Sequence, residues 1–283
     1  MSVDSVNTNM GAMIALQSLQ TTQTQLGVVQ KQVSTGFRVA DSTDDGAAYA
    51  IAQSVRSTVG ALTAANQQLG GVQGLLSTTQ SGLNDISNTM NSMRDILVNL
   101  SSGNVSADER TNYEKQYASK VTQIQTFIQD ADYNGKTLIG NVSGSNGSFS
   151  RVAVARNESG SSYGIATFSG SALYNSIAFT TTQLGSATTV QALMTATGTF
   201  INQQNSVGQG LNTVGSEINY VNNQVSYNND KIDALNSGLG ALVDADLAKE
   251  SAQLTSLQIR QQLGTQSLSM ANSAPQSLLS LFR

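Results

Sequence analysis

The sequence predicts a mainly α chain with a small β-rich insertion, built as a long antiparallel helical bundle or coiled-coil rod whose terminal helices pair on assembly. Three observations carry this. Apolar residues recur at 4–3 spacing through both ends of the chain, that spacing stops between about 136 and 200, and Gly and Ser rise where it stops. A sustained seven-residue apolar repeat keeps one helix face against a partner helix, whereas short alternating runs bounded by Gly, Ser and Asn suit strands and turns.

From Val55 the longest stripe runs Val59, Leu62, Asn66, Leu69, Val72, Leu76, Thr79, Leu83, Ile86, Met90, Met93, Leu97 and Leu100. It predicts one helix of about 45 residues, too long for a compact globule. The next helix opens at Ser106-Ala107-Asp108-Glu109, a capping box in which Ser106 bonds the amide of Glu109 and Glu109 reaches back. Its stripe is Tyr113, Tyr117, Val121, Ile124 and Ile128, and Asn134-Gly135 is expected to break it. A second long stripe follows the insertion: Val207, Leu211, Val214, Ile218, Val221, Val225, Asn228, Ile232, Leu235, Leu239 and Leu242. These three stripes can bury one another as an antiparallel bundle.

The outermost seams are more polar. One holds Ala12, Leu16, Leu19, Gln23, Leu26, Gln30, Val33 and Phe37; the other holds Leu247, Ser251, Leu254, Leu257, Gln261, Gly264, Leu268 and Ala271. Isolated helices this polar need tertiary packing, so both termini are expected to be largely disordered in a free monomer and to pair once neighbours supply apolar surface. Within the insertion, Arg151–Arg156 and Ser176–Thr180 read as strands, with room for a brief helix over Thr189–Asn202. The resulting division is residues 1–40 and 243–283 as terminal helices, 41–140 and 201–242 as the helical rod, and 141–200 as the β-rich module.

Composition narrows the chemistry. Only 11% of the 283 residues are charged, with 14 basic against 18 acidic, less than half the usual share of a soluble domain. Side-by-side packing of subunits suits such a surface, because few charges must be desolvated. The mild acidity and scattered basic residues disfavour nucleic acid as a partner. No apolar run is long enough for a membrane-inserted helix, and Met1–Ser5 has no secretory-signal pattern. The sequence contains no Cys, His or Trp, which removes Cys–His and Ser–His nucleophile pairs and the usual zinc sites. No catalytic residue, metal site or cofactor is therefore expected. Gly160-Ser161-Ser162-Tyr163-Gly164 matches a nucleophile-elbow pattern, but without a His it reads as a turn. Asp41-Ser42-Thr43-Asp44-Asp45-Gly46 resembles the start of a calcium loop, yet its twelfth position is Ala52. The plainer reading is a loop in which Asp44 or Asp45 caps the following helix over Ala47–Val55.

Two longer segments go beyond pattern. Val33-Ser34-Thr35-Gly36-Phe37-Arg38-Val39-Ala40, followed by Asp41–Gly46 and Ala47-Ala48-Tyr49-Ala50-Ile51-Ala52, resembles the N-terminal signature of bacterial flagellins. Val243-Asp244-Ala245-Asp246-Leu247-Ala248-Lys249-Glu250-Ser251, and the stretch through Gln261, Ala271-Asn272, Pro275-Gln276 and Leu278–Leu281, is similar to their C-terminal signature. Asp132–Lys136 is similar to the turn that the family places between them. The likeness covers about 1–140 and 205–283, and its central module matches the short, alphaproteobacterial type.

The resemblance implies a structural subunit of the flagellar filament, polymerising head-to-tail for motility and located outside the cell. Its terminal helices would form an inner tube, the rod would surround it, and the central module would face outward. Arg38, Asp41, Asp44 and Asp45 would mediate subunit contacts, with Leu247, Leu254, Leu257, Leu278 and Leu281 lining the inner packing. Implied partners are further copies of itself with or without other flagellins, hook-associated junction and cap proteins, an export chaperone and the type III export apparatus. The alternative within the same resemblance is a hook–filament junction protein. One departure has a measurable consequence. The run Met90–Ile96 has Ser92 where many flagellins place an Arg read by the mammalian innate receptor, and Gln116 stands where the facing helix usually has Glu. Monomer should therefore activate that receptor weakly in a reporter assay; full potency would contradict this.

Overall fold

The computed structural model describes residues 8–281 apart from 141, with side chains described through residue 273. The side chains of Leu278 and Leu281 thus lie outside the described residues. The chain divides into two compact units, one of residues 1–57 with 233–283 and one of residues 58–232.

In the first unit, α1 (Met10–Thr35) pairs with α8 (Leu247–Leu281). Asn9 caps α1 by accepting the Ala12 amide at 3.0 Å and donates from Nδ2 to the Ala271 carbonyl at 2.7 Å, so the start of α1 lies beside the far part of α8. The two helices pair within the single chain, and their seam differs from the expected one. Ala12, Ala15, Leu19, Thr22, Leu26, Val29 and Val33 are buried or half-buried, whereas Leu16, Gln23 and Gln30 are exposed. Four expected positions hold; the alternate ones move back by one residue. That shift turns small side chains inward and keeps long Gln side chains in water, which allows close approach. A Cβ at Gly264 would sit 3.3 Å from Leu19 Cδ1. On α8 the seam is Glu250, Leu254, Leu257, Gln261, Gly264, Leu268 and Ala271.

In the second unit the principal core forms along α2 (Gly46–Leu100), α3 (Ala107–Asp130) and α7 (Thr199–Val243). The helix expected from Val55 and the short one expected over Ala47–Val55 are one continuous 55-residue helix. Leu62, Leu69, Leu76, Leu83, Met90 and Leu97 are all fully buried, so the seven-residue repeat is the core. The capping box forms as read: Ser106 accepts the Glu109 amide at 3.3 Å and its own amide donates to Glu109 Oε2 at 3.0 Å. These bonds hold the Glu109 carboxyl below its ordinary range. Helix α3 ends four residues before Asn134-Gly135. That pair, with φ of 51° and 74°, instead makes a two-residue turn closed by Tyr133 and Lys136.

The insertion is less extended than expected. Strands β1 (Lys136–Thr137) and β2 (Ser148–Phe149) pair parallel, and β3 (Ala153–Ala155) and β4 (Ser162–Gly164) pair antiparallel. The Gly160–Gly164 motif is the turn and strand of this hairpin. The expected strand over Ser176–Thr180 is instead the end of α4 (Gly170–Ile177), with short helices α5 (Thr181–Leu184) and α6 (Ala187–Leu193) after it. Leu173 and Ile177, four apart and both buried, override the local alternation, and Ser169 caps the helix. The helix expected over Thr189–Asn202 is split by a turn in which the Gly198 amide bonds the Thr195 carbonyl at 2.8 Å.

Candidate assembly surface

The loop from α1 to α2 and the link from α7 to α8 are laid against each other. Gly36, with φ of 73°, ends α1 in a left-handed conformation that a Cβ would disfavour. Backbone bonds then run from Arg38 N to the Val243 carbonyl at 2.8 Å and from Ala245 N to the Gly36 carbonyl at 2.9 Å. Arg38 also donates from Nη2 to the Leu242 carbonyl. Beneath these bonds Val39, Ala48, Ala52 and Val243 are buried together, with Tyr49, Leu239 and Leu242 packed against them. Asp246, whose role the sequence reading missed, caps α8 by accepting the amides of Ala248 at 3.1 Å and Lys249 at 3.2 Å.

The three predicted aspartates have separate internal tasks. Asp45 Oδ1 accepts the Ala48 amide at 3.0 Å and is the N-cap of α2. Asp44 Oδ2 accepts the amides of Ala40 at 2.9 Å and Asp41 at 3.2 Å, closing the loop. Asp41 Oδ1 accepts the Thr43 amide at 2.8 Å. Lys31 Nζ binds both remaining faces, at 2.7 Å from Asp41 and 2.8 Å from Asp44. This lysine was not singled out from the sequence, although it is the first Lys of the chain and stands ten residues before Asp41.

Hydrogen bonds from Lys31 hold both carboxyls below their ordinary range, and the same bonds raise the lysine. The depressed carboxylates support the loop above the unfolded-chain value of about pH 3.9 and lose that support as pH falls toward their folded values. The raised lysine contributes below about pH 10.4 and loses its effect as pH rises through its folded value. In Lys31→Met, the Asp41 and Asp44 carboxyl resonances should titrate closer to the ordinary value. Unchanged titration would show that the backbone amides alone depress them.

Apolar exposure is concentrated in this unit. Among the described residues, fourteen large apolar side chains remain exposed, and eleven belong here: Met10, Met13, Ile14, Leu16, Val28, Phe37, Ile51, Leu247, Ile259, Leu263 and Met270. Leu247 is 49% exposed and outside the α1–α8 seam, Leu254 is half-buried in it, and Leu257 is 3% exposed. A groove of about 610 Å³ between α1 and α8 is lined by Val28, Val29, Gln32, Glu250, Leu257 and Arg260, among others. No helix among the described residues is long and apolar enough to cross a membrane.

Fold and surface together define a charge-poor, long-helix protein that carries most of its exposed apolar side chains near its two chain ends. The family model for the bacterial flagellin N-terminal helical region matches residues 6–143, and that for the C-terminal helical region matches 191–282. The chain is 32% identical to flagellin FljK of Caulobacter vibrioides over the whole of both chains, and 33% identical to a flagellin of Brucella melitensis over 99% of each. A flagellar hook-associated protein from Vibrio parahaemolyticus shares the fold at a TM-score of 0.56 and 14% identity, covering 71% of this chain and 100% of that one. The chain belongs to the bacterial flagellin family. It is a structural subunit of the flagellar filament.

Proposed function

We propose that the subunit polymerises head-to-tail through the terminal unit, outside the cell, and that it performs no catalysis. Eleven exposed apolar side chains gathered near the two chain ends carry this reading. So many exposed apolar side chains on one pair of helices and its adjoining loop favour burial against a neighbour, and a heterologous contact that does not close generates a fibre. In this scheme α1 and α8 form the inner layer of the filament, the helices of 41–140 and 201–242 surround it, and 141–200 faces outward. Arg38, Asp41, Asp44 and Asp45 shape the α1–α2 loop that meets a neighbour; Leu254 and Leu257 line the inner packing by holding α8 on α1, while Leu247, with Leu278 and Leu281, supplies apolar packing between copies. Hook-associated junction and cap proteins, an export chaperone and the type III export apparatus are the further partners.

Electron microscopy of purified monomer after induced polymerisation tests the reading directly. Long filaments are expected; short or absent polymers from intact monomer would instead favour a junction protein. Deleting 278–283 should abolish filaments while the 58–232 unit keeps its helical content and melting temperature. Normal filaments from that truncation would remove the C-terminal leucines from the mechanism.

A further inference from the structure

The fully buried series Leu62, Leu69, Leu76, Leu83, Met90 and Leu97 repeats every seven residues without a break. Opposite it, Val207, Val214 and Val221 repeat at the same interval and are also buried. Sliding α2 along α7 by seven residues, about 10 Å, therefore still places apolar over apolar. Packing alone discriminates weakly against that slip. Charges do not supply the discrimination either: the ion pairs among the described residues join Lys31 to Asp41 and Asp44, and Lys231 to Glu158, and none links α2 to α7.

Uncharged amides occupy that place. Asn66 Nδ2 donates to Asn229 Oδ1, Gln73 Nε2 to Asn222 Oδ1, and Gln204 Nε2 to Asn91 Oδ1, each at 2.8 Å. In all three rungs the two residue numbers add to 295, so one antiparallel register satisfies every rung at once. The decisive member is Asn228, which interrupts the valine series and is fully buried. Its Nδ2 donates to Asn66 Oδ1 at 2.8 Å and to the Arg156 carbonyl at 3.1 Å, and its Oδ1 accepts from Gln224 Nε2 at 3.0 Å.

We infer that this amide ladder, centred on Asn66 and Asn228, sets the register of α2 on α7 and excludes heptad slips. A slip in one direction puts Asn228 opposite Val59 and Asn66 opposite Val221. The other brings Asn228 to Gln73 but leaves Asn66 facing Leu235. Each alternative strands an amide against an apolar side chain, which costs more than the lost bond itself. The present register satisfies all of them. Amides hold the register independently of salt and pH, in a chain with few charges to spare.

Absence of cysteine from the sequence makes the test clean. Spin labels on Asn84→Cys and Asn223→Cys, both exposed and outside the ladder, report the axial offset of the helices after refolding from urea. The otherwise unaltered chain should give one separation, the same at low and high salt. The N66L/N228L variant should retain helix content and show a second separation displaced by about 10 Å. Moving the amide by one heptad in V59N/N66V should favour the displaced separation in which 59 faces 228. Should N66L/N228L misfold, the transplanted variant still decides. A single unshifted separation in either folded variant overturns the inference.

Discussion

Val29→Asp should abolish filament formation and strip helix from both chain ends while the 58–232 unit melts as before. Only Leu19, Val29 and Leu257 are buried apolar side chains in the α1–α8 seam as described. Burying each contributes about 1.5–3 kcal/mol before the entropy of ordering helices of 26 and 35 residues is set against it. An aspartate at position 29 removes one of the three and places an unpaired carboxylate in a groove that already holds Glu250. A buried charge without a designed partner costs several kcal/mol, more than so sparse a seam has in reserve. Arg260 lines the same groove, so Val29→Ala provides the control for partial charge compensation. It should weaken polymerisation without eliminating it. Sedimentation and negative-stain microscopy read assembly, hydrogen exchange reads α1 and α8, and the melting temperature reads the second unit. Filaments from Val29→Asp in normal yield would show that contacts between copies, rather than the pairing within one chain, order these helices.

How legible each part was in the sequence follows from how local its cause is. The α2 stripe could be followed residue by residue because burial of one face leaves a periodic record. The Ser106–Glu109 box was equally plain, since both partners lie within one turn. Where two local signals competed, the sequence misled. Ser176–Thr180 alternates like a strand, but Leu173 and Ile177 share a helix face directed at the core, and that burial won. At the termini the period was readable and the phase was not. Leu16 and Ala15 differ by one position, and the choice between them depends on how closely α8 approaches, which is set by side chains at the other end of the chain. Lys31 and Asp246 escaped notice for a related reason. One acts on a loop ten residues away, the other on the first amides of a helix whose seam was read from Leu247 but whose cap was not. Asn66 and Asn228 were visible as polar interruptions in two separate stripes. Nothing in either stripe alone says that they meet.

Tyr117→Ala should be among the most damaging single substitutions in the second unit, lowering its stability by about 3–5 kcal/mol. A typical total is only about 5–15 kcal/mol. The Tyr117 ring is 1% exposed, stacks on Phe179 with centroids 5.7 Å apart, and donates its hydroxyl to the Ile177 carbonyl at 2.8 Å. One side chain thereby joins α3 to the end of α4, and Arg110 makes a parallel tie from α3 to the Leu184 carbonyl at 2.8 Å. Removing the ring opens a cavity where the insertion meets the helices, so both should loosen together. Tyr117→Phe keeps the ring and leaves the Ile177 carbonyl its bond from the Phe179 amide at 2.9 Å; it should cost about 1 kcal/mol. Burial drives the Tyr117 phenol well above its ordinary value, and the neighbouring Glu217 carboxylate, with burial, pushes Tyr163 up to about 12. The unfolded chain releases these protons from about pH 10 while the folded chain retains them. Stability is therefore whole below pH 10 and falls as pH rises beyond it. Urea titrations followed by circular dichroism at pH 7 and pH 11 should show that alkaline loss in the unaltered chain, and a smaller one in Tyr117→Phe. Equal losses in the two would leave Tyr117 a packing residue alone, with the alkaline response coming from other groups such as Tyr163 and Lys31.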